Sequence, residues 1–199
     1  TLPPAVRGIP MGLMEGARTT VGSCLNVRKR DSVLVICDHL TQRIGSTIYD
    51  AALELTDNVV LMLLPEDRFR EGEPPAMVVG AMKKASVIIA PTTYSITHAR
   101  AVQQVMNRGA RMASMPGITA RMLSRGGMTA DFRKIRRDIN RVLKKVRRPR
   151  TARITSELGT DLVMDLKGQR WIAQDTGICH KPGQLTNLPA GEMFIAPVH

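Results

Sequence analysis

The chain has 199 residues, 43% of them hydrophobic, and a formal net charge of +12. A chain of this length can bury a core without help from disulfides or metal. Its three cysteines form no Cys-x-x-Cys pair, which argues against a disulfide framework or a zinc ribbon. The sequence has no apolar run of about 18 residues and no secretory signal pattern. We therefore expect a cytoplasmic protein with no membrane span.

Four short apolar segments alternate with helical patterns in the first 120 residues. The predicted strands are 33–37, 58–64, 86–90 and 110–114, and helices are predicted between them. Continuous apolar strands separated by helices are typical of a parallel sheet that is covered on both faces. The predicted fold class is therefore α/β, a mostly parallel sheet with helices on both faces, followed by the β-rich start of a second domain.

The pattern changes near Pro149. Beyond it the sequence is rich in glycine, and short strands are predicted at 150–155, 161–166, 171–173 and 193–198. We place a domain boundary at about residue 148. This gives a Rossmann-like α/β domain of residues 1–148 and a β-rich segment of residues 149–199.

Residues 131–148 predict one amphipathic helix with a strongly basic outer face. One interpretation is phosphate binding, and the other is a helix face that is simply solvated. No aromatic platform for base stacking lies nearby, which argues against nucleic acid as a partner. The chain also lacks a glycine-rich phosphate loop after its first strand, so no dinucleotide cofactor is predicted.

Polar side chains cluster where the predicted parallel strands end, which is where open α/β sheets bind ligands. Asp38 follows the first strand, Thr93 and Ser95 follow the third, and His98 and Arg100 lie one helical turn beyond. Hydroxyl, imidazole and guanidinium groups together could hold an anionic group. The alternative is that Ser95 or Thr97 only caps the next helix.

Glu192 follows a Pro-Ala-Gly turn and precedes an apolar strand. A carboxylate in that position suits a divalent cation, although an exposed strand-end glutamate is the plainer interpretation. The four histidines form no His-Glu-x-x-His motif. Spacing alone therefore predicts no metal site.

Residues 187–197, which read Asn-Leu-Pro-Ala-Gly-Glu-Met-Phe-Ile-Ala-Pro, resemble the first metal-ligand motif of the aminopeptidase T (M29) family. Residues 93–100, 109–118 and 159–162 resemble three other segments of that family, in the same order. The resemblance extends from about residue 20 onward.

This resemblance implies a two-domain, usually homodimeric enzyme that removes amino-terminal residues from peptides. It implies a pair of divalent ions, typically cobalt or zinc, with magnesium or manganese as alternatives. Glu192 matches the first carboxylate ligand, and His199 stands where family members commonly carry glutamate. The family's other ligands lie downstream, so we expect a partial chain that alone binds no metal pair and hydrolyses no peptide.

Two alternatives stay open. A related non-haem iron dioxygenase, which opens a hydroxylated pyridine ring, is similar in layout but lacks a glutamate at the position of Glu192. A non-enzymatic module that binds through the basic helix is the other. The glutamate favours the metallo-aminopeptidase, which is the function the sequence predicts.

Overall fold

A computed structural model describes residues 11–69, 72–171 and 173–198. The α-helices in these ranges are α1 (Met11–Arg18), α2 (Gln42–Leu53), α3 (Ala76–Met82), α4 (Arg100–Asn107), α5 (Ala120–Arg125) and α6 (Phe132–Lys145). The strands are β1 (Val33–Asp38), β2 (Val59–Leu64), β3 (Val87–Ala90), β4 (Arg111–Ser114), β5 (Thr151–Thr155), β6 (Asp161–Asp165), β7 (Ala173–Asp175), β8 (Leu185–Asn187) and β9 (Glu192–Phe194).

The central sheet has five strands in the order β2-β1-β3-β4-β8, and every neighbouring pair is parallel. All six residues of β1 and all four of β3 are buried. Uninterrupted runs of valine and isoleucine suit these strands, because a parallel sheet that is covered on both sides has no solvent face.

Alternate residues of β1 enter two separate cores. Val33 and Val35 pack with residues of α1, α2 and α5 on one face. Leu34 and Ile36 pack with residues of α3 and α4 on the other. This alternation follows from the period of two along a strand. The predicted α/β class, with a mostly parallel sheet and helices on both faces, is confirmed.

The segment after residue 148 forms two small antiparallel ribbons and one strand of the main sheet. The ribbons are β5–β6 and β7–β9, while β8 pairs with β4 in parallel. The sequence did not predict β8, because Leu185, Thr186 and Asn187 make no apolar run. The domain boundary at residue 148 stays a prediction, and the structure adds that the chain returns to the first sheet beyond it.

Helix α1 and the π-helical turn Thr19–Cys24 that follows it were not foreseen either. Leu13 and Ala17 of α1 are buried against the sheet-covering helices. Gly16 permits the close approach to α5, because a Cβ there would lie 2.0 Å from the carbonyl oxygen of Leu123. Among the helices in the described ranges, none has the length and apolar character needed to cross a bilayer.

Candidate functional site

Asp38 joins the carboxyl ends of β1 and β3. Its side chain is fully buried. Asp38 Oδ2 accepts the Thr93 amide at 2.5 Å, and Oδ1 accepts the Thr93 hydroxyl and the Leu40 and Thr41 amides, each at 3.1 Å. The Thr41 hydroxyl donates to the Pro91 carbonyl at 2.6 Å. The structure thus brings together two predicted site residues, Asp38 and Thr93, and the carboxylate is saturated by protein donors.

A second group of polar side chains lies at the ends of β4 and β8, with Thr97 at its centre. Thr97 Oγ1 lies 2.8 Å from Ser114 Oγ, 3.1 Å from Asn187 Oδ1 and 3.0 Å from Ser95 Oγ. Ser114 is fully buried, whereas Ser95 and Asn187 are exposed. The group therefore runs from the core to the surface at the carboxyl edge of the sheet.

Glu73, not a hydroxyl side chain, caps the start of α4. Its carboxylate accepts the Arg100 amide at 2.5 Å and the Ala101 amide at 3.5 Å. The alternative that Ser95 or Thr97 caps this helix is wrong, because α4 begins at Arg100 and these two hydroxyl groups bond each other instead. A glutamate from a preceding loop is a suitable cap, since its negative charge also offsets the positive end of the helix dipole.

The remaining predicted residues of this edge, His98 and Arg100, are both exposed. Neither side chain makes a hydrogen bond or ion pair to another described residue. Both side chains therefore face solvent. Whether these residues bind a ligand together stays a prediction.

Sequence reasoning missed Thr41, Ser114 and Asn187, and it considered Thr97 only as a helix cap. Ser114 and Asn187 each end a strand of the parallel sheet. The rule that selected Asp38 would have selected Ser114 as well, since it follows the buried residues Met112 and Ala113. Asn187 carried no such signal, because its strand was not predicted.

Glu192 opens β9, opposite Asp175 of β7. Its side chain is exposed and makes no ion pair with any described residue. The Asp175 carboxylate is already hydrogen-bonded within the protein, because it accepts the Asn187 amide at 2.9 Å and the Thr186 hydroxyl. Within the described ranges, no three His, Cys, Asp or Glu side chains are placed to hold a metal ion. Glu192 as a metal ligand stays a prediction, and His199 lies outside the described residues.

The amino-terminal edge of the sheet carries an ion pair that the sequence did not indicate. Arg111 Nη2 lies 2.7 Å from Asp31 Oδ2, and both side chains are about nine-tenths buried. Burial pushes the pKa of Asp31 upward, but hydrogen bonds from the Arg28 amide, Arg111 and Ser86 outweigh it, so the pKa lies below its usual value. This pair is at the end opposite the candidate site and has a structural role.

The three cysteines are free and fully buried. Burial raises the pKa of Cys24 and Cys37 to about 12 and that of Cys179 to about 11. The Cys179 thiol also donates to the Gln184 carbonyl at 2.9 Å. Such neutral thiols are poor nucleophiles and poor metal ligands.

Comparison with known proteins identifies a family. Residues 18–199 match the family described as NicX, 2,5-dihydroxypyridine 5,6-dioxygenase. No curated protein sequence matches the chain.

Two solved structures share the fold. The 2,5-dihydroxypyridine dioxygenase from Pseudomonas putida KT2440 is 18% identical, with a TM-score of 0.67 over 94% of this chain and 56% of its own. Wild-type AmpT from Thermus thermophilus is 15% identical, with a TM-score of 0.58 over 94% of this chain and 62% of its own. The chain therefore spans a little over half the length of these relatives.

The predicted function, a hydrolytic metallo-aminopeptidase acting on peptides, is wrong, because the family match is to the dioxygenase. The motifs that suggested a peptidase occur in a fold that both solved proteins share. Two glycines in these motifs are explained by backbone conformation. Gly117 and Gly191 adopt φ values of 64° and 149°, which residues with a side chain rarely adopt. Such turns follow the fold and not the reaction. The chain belongs to the 2,5-dihydroxypyridine 5,6-dioxygenase family, NicX.

Proposed function

We propose that this chain is the α/β part of a dioxygenase that opens the ring of 2,5-dihydroxypyridine between ring atoms 5 and 6. The observation that carries the proposal is the family match over residues 18–199. The fold similarity to the Pseudomonas putida dioxygenase supports it. Because the chain spans 56% of that protein, the activity is proposed for the complete gene product.

We assign three exposed residues at the carboxyl edge of the sheet to substrate positioning. Ser95, His98 and Arg100 lie where open α/β sheets bind ligands. A dihydroxypyridine carries acidic hydroxyl groups, and a guanidinium or imidazole N–H can donate to the oxygen of such a group. The Thr97 group beneath them fixes the loop that carries Ser95 and His98.

Ring opening by oxygen in this family calls for a metal, and non-haem iron is our proposal. A bound ferrous ion would supply the activation of oxygen. The described residues do not fit such a centre, since no three potential ligands come together in them. We therefore assign no described side chain to iron and no step to a metal-bound species. Assembly as a homodimer likewise stays a proposal.

The test is oxygen consumption by the complete gene product, loaded with ferrous iron, on 2,5-dihydroxypyridine. Release of amino acid from a leucyl peptide is measured in parallel on the same preparation. We expect oxygen uptake that depends on the pyridine and no amino acid release. Peptide hydrolysis without oxygen uptake would overturn the proposal.

A variant pair on one helix tests the positioning role. Arg100 begins α4 and Arg108 follows its last residue, and both are exposed. Arg100→Gln should raise KM about tenfold or more, since a charge-assisted hydrogen bond contributes roughly 1.5–3 kcal/mol. Arg108→Gln should leave KM unchanged. Equal kinetics for the two variants would remove Arg100 from the substrate site while leaving the dioxygenase proposal intact.

A further inference from the structure

A cationic cleft lies where α6 ends, and it shares no lining residue with the Thr97 group. It has a volume of about 680 Å³. Its charged lining residues are Arg147, Arg148, Arg150, Lys167 and Arg170, and the ring of Trp171 completes it. The lining contains no aspartate or glutamate. The volume is in the range of sites that hold small ligands.

Main-chain and indole hydrogen bonds hold the two sides of this cleft together. The Leu166 amide donates to the Arg150 carbonyl at 2.9 Å, next to Lys167. Trp171 Nε1 donates to the Val146 carbonyl at 3.0 Å, at the end of α6. The segment after the helix and the segment after β6 are thus fixed to each other. The cleft is a feature of the backbone arrangement and not of side-chain rotamers alone.

The cleft cations differ from some of those along α6 in having no carboxylate partner. On the helix, Lys134 and Arg141 pair with Asp138. Among the described residues, none of the five cleft cations forms an ion pair with a carboxylate. Five positive charges around one cavity repel each other, and the repulsion is relieved when an anion enters. A ligand with several negative charges is therefore favoured.

The types of side chain that line the cleft indicate which class of anion it binds. Arginine presents a planar fork that binds phosphate oxygens in pairs, and four of the five cations are arginines. Trp171 is half-buried and offers a ring surface on which a base can stack. The sequence had argued against nucleic acid because no aromatic platform for base stacking lies near the basic helix, whose own Phe132 is buried. The fold places Trp171 against Val146, 25 residues earlier in the chain.

We propose that this cleft binds a ligand that combines several phosphate groups with a base, which is the chemistry of a nucleoside triphosphate or of single-stranded nucleic acid. This site is independent of the proposed dioxygenase reaction. The exposed basic residues of α6, among them Arg136 and Lys144, extend the positive surface beyond the cleft and would follow a longer strand.

Trp171 provides the probe, because it is the only tryptophan in the 199-residue chain. Its fluorescence is followed while the full chain is titrated with ATP, with a thymidine oligonucleotide and with poly-glutamate, at several salt concentrations. The test variant is Arg150→Gln with Arg170→Gln. The control is Arg121→Gln with Arg125→Gln, which removes the same charge from exposed positions on and at the end of α5.

We expect saturable quenching by ATP or by the oligonucleotide, and the one that binds identifies the source of the phosphate. Affinity should fall at least about tenfold in the cleft variant and less than about twofold in the control. For a strand, the slope of log affinity against log salt should fall by about 1.4, from two lost phosphate contacts at about 0.7 each. No saturable quenching, equal losses in the two variants, or equal binding of poly-glutamate would overturn the proposal.

Discussion

Replacing Asp38 by alanine tests how the edge of the sheet that carries the candidate site is held. The carboxylate connects the end of β1 to the loop after β3 and is fully buried. Asp38→Ala leaves the Thr93 and Leu40 amides without their acceptor. The Thr41 amide still donates to the Asp38 backbone carbonyl at 3.1 Å, so we do not count it among the donors that lose their acceptor.

The expected cost follows from these two groups. A buried donor that loses its partner costs roughly 1–3 kcal/mol. Because Leu40 is exposed and water can reach its amide, we expect Asp38→Ala to lower the free energy of unfolding by about 2–4 kcal/mol. For a chain of this size that corresponds to a fall in Tm of roughly 5–15 °C. Asp38→Asn should cost less than Asp38→Ala but should still destabilise the fold. Its side-chain NH₂ would replace the oxygen that accepts the Thr93 N–H.

Urea unfolding followed by circular dichroism measures the difference. Asp57→Ala is the matched control, because Asp57 is exposed and makes no ion pair with a described residue. It should change the free energy of unfolding by less than about 0.5 kcal/mol. If Asp38→Ala were no more destabilising than Asp57→Ala, the carboxylate would not hold this edge together.

Three further perturbations test other parts of the structure. A thiol-specific chromogenic reagent at pH 8 should find no reactive cysteine in the native chain and three in denaturant, because burial keeps the thiols protonated. One fast-reacting thiol in the native chain would contradict this. The pKa of Asp31 is lowered on folding, so its contribution is complete above about pH 4 and is lost as pH falls through the lower folded value. Arg111→Met should therefore cost about 3 kcal/mol at pH 7 and move the acid-unfolding midpoint to higher pH; an unmoved midpoint would contradict the pairing. Gly16→Ala should destabilise the fold because its Cβ would collide with the Leu123 carbonyl, whereas Gly80→Ala, at an open position in α3, should stabilise it by roughly 0.5–1 kcal/mol; thermal melts of the two variants check the opposite signs.

The parallel sheet could be predicted because burial on both faces leaves a direct record in sequence. Strands β1 and β3 read as unbroken apolar runs, and turn signals bound them. Strand β8 leaves no such record, because only one of its three residues, a threonine, is buried. The strand is held mainly by its pairing with β4 and by hydrogen bonds to Asp175. Long-range pairing of this kind is invisible to local patterns.

The candidate site was predicted in part, for a related reason. Asp38 and Thr93 were identified because each follows a recognisable strand. Thr97 and Asn187 meet across 90 residues, and only the fold brings them together. Trp171 is a similar case at the cationic cleft. It is distant in sequence from the end of α6, and only the fold brings its ring to Val146.

The function was mispredicted because Glu192 and a few short motifs were taken to distinguish the peptidase from the related dioxygenase. The segments around Gly117 and Gly191 resemble peptidase motifs, yet their positive φ values show that the backbone alone selects glycine there. The family match over residues 18–199 covers most of the chain, whereas the motifs covered only short segments of it.

Isotope labelling tests the central claim most directly. The complete gene product with ferrous iron is incubated with 2,5-dihydroxypyridine under ¹⁸O₂, and the mass of the ring-opened product is measured by mass spectrometry. A dioxygenase places both atoms of one oxygen molecule in that product, and this is the result we predict. A ring-opened product whose added oxygen comes only from water, or an unchanged pyridine beside a cleaved peptide, would contradict the assignment.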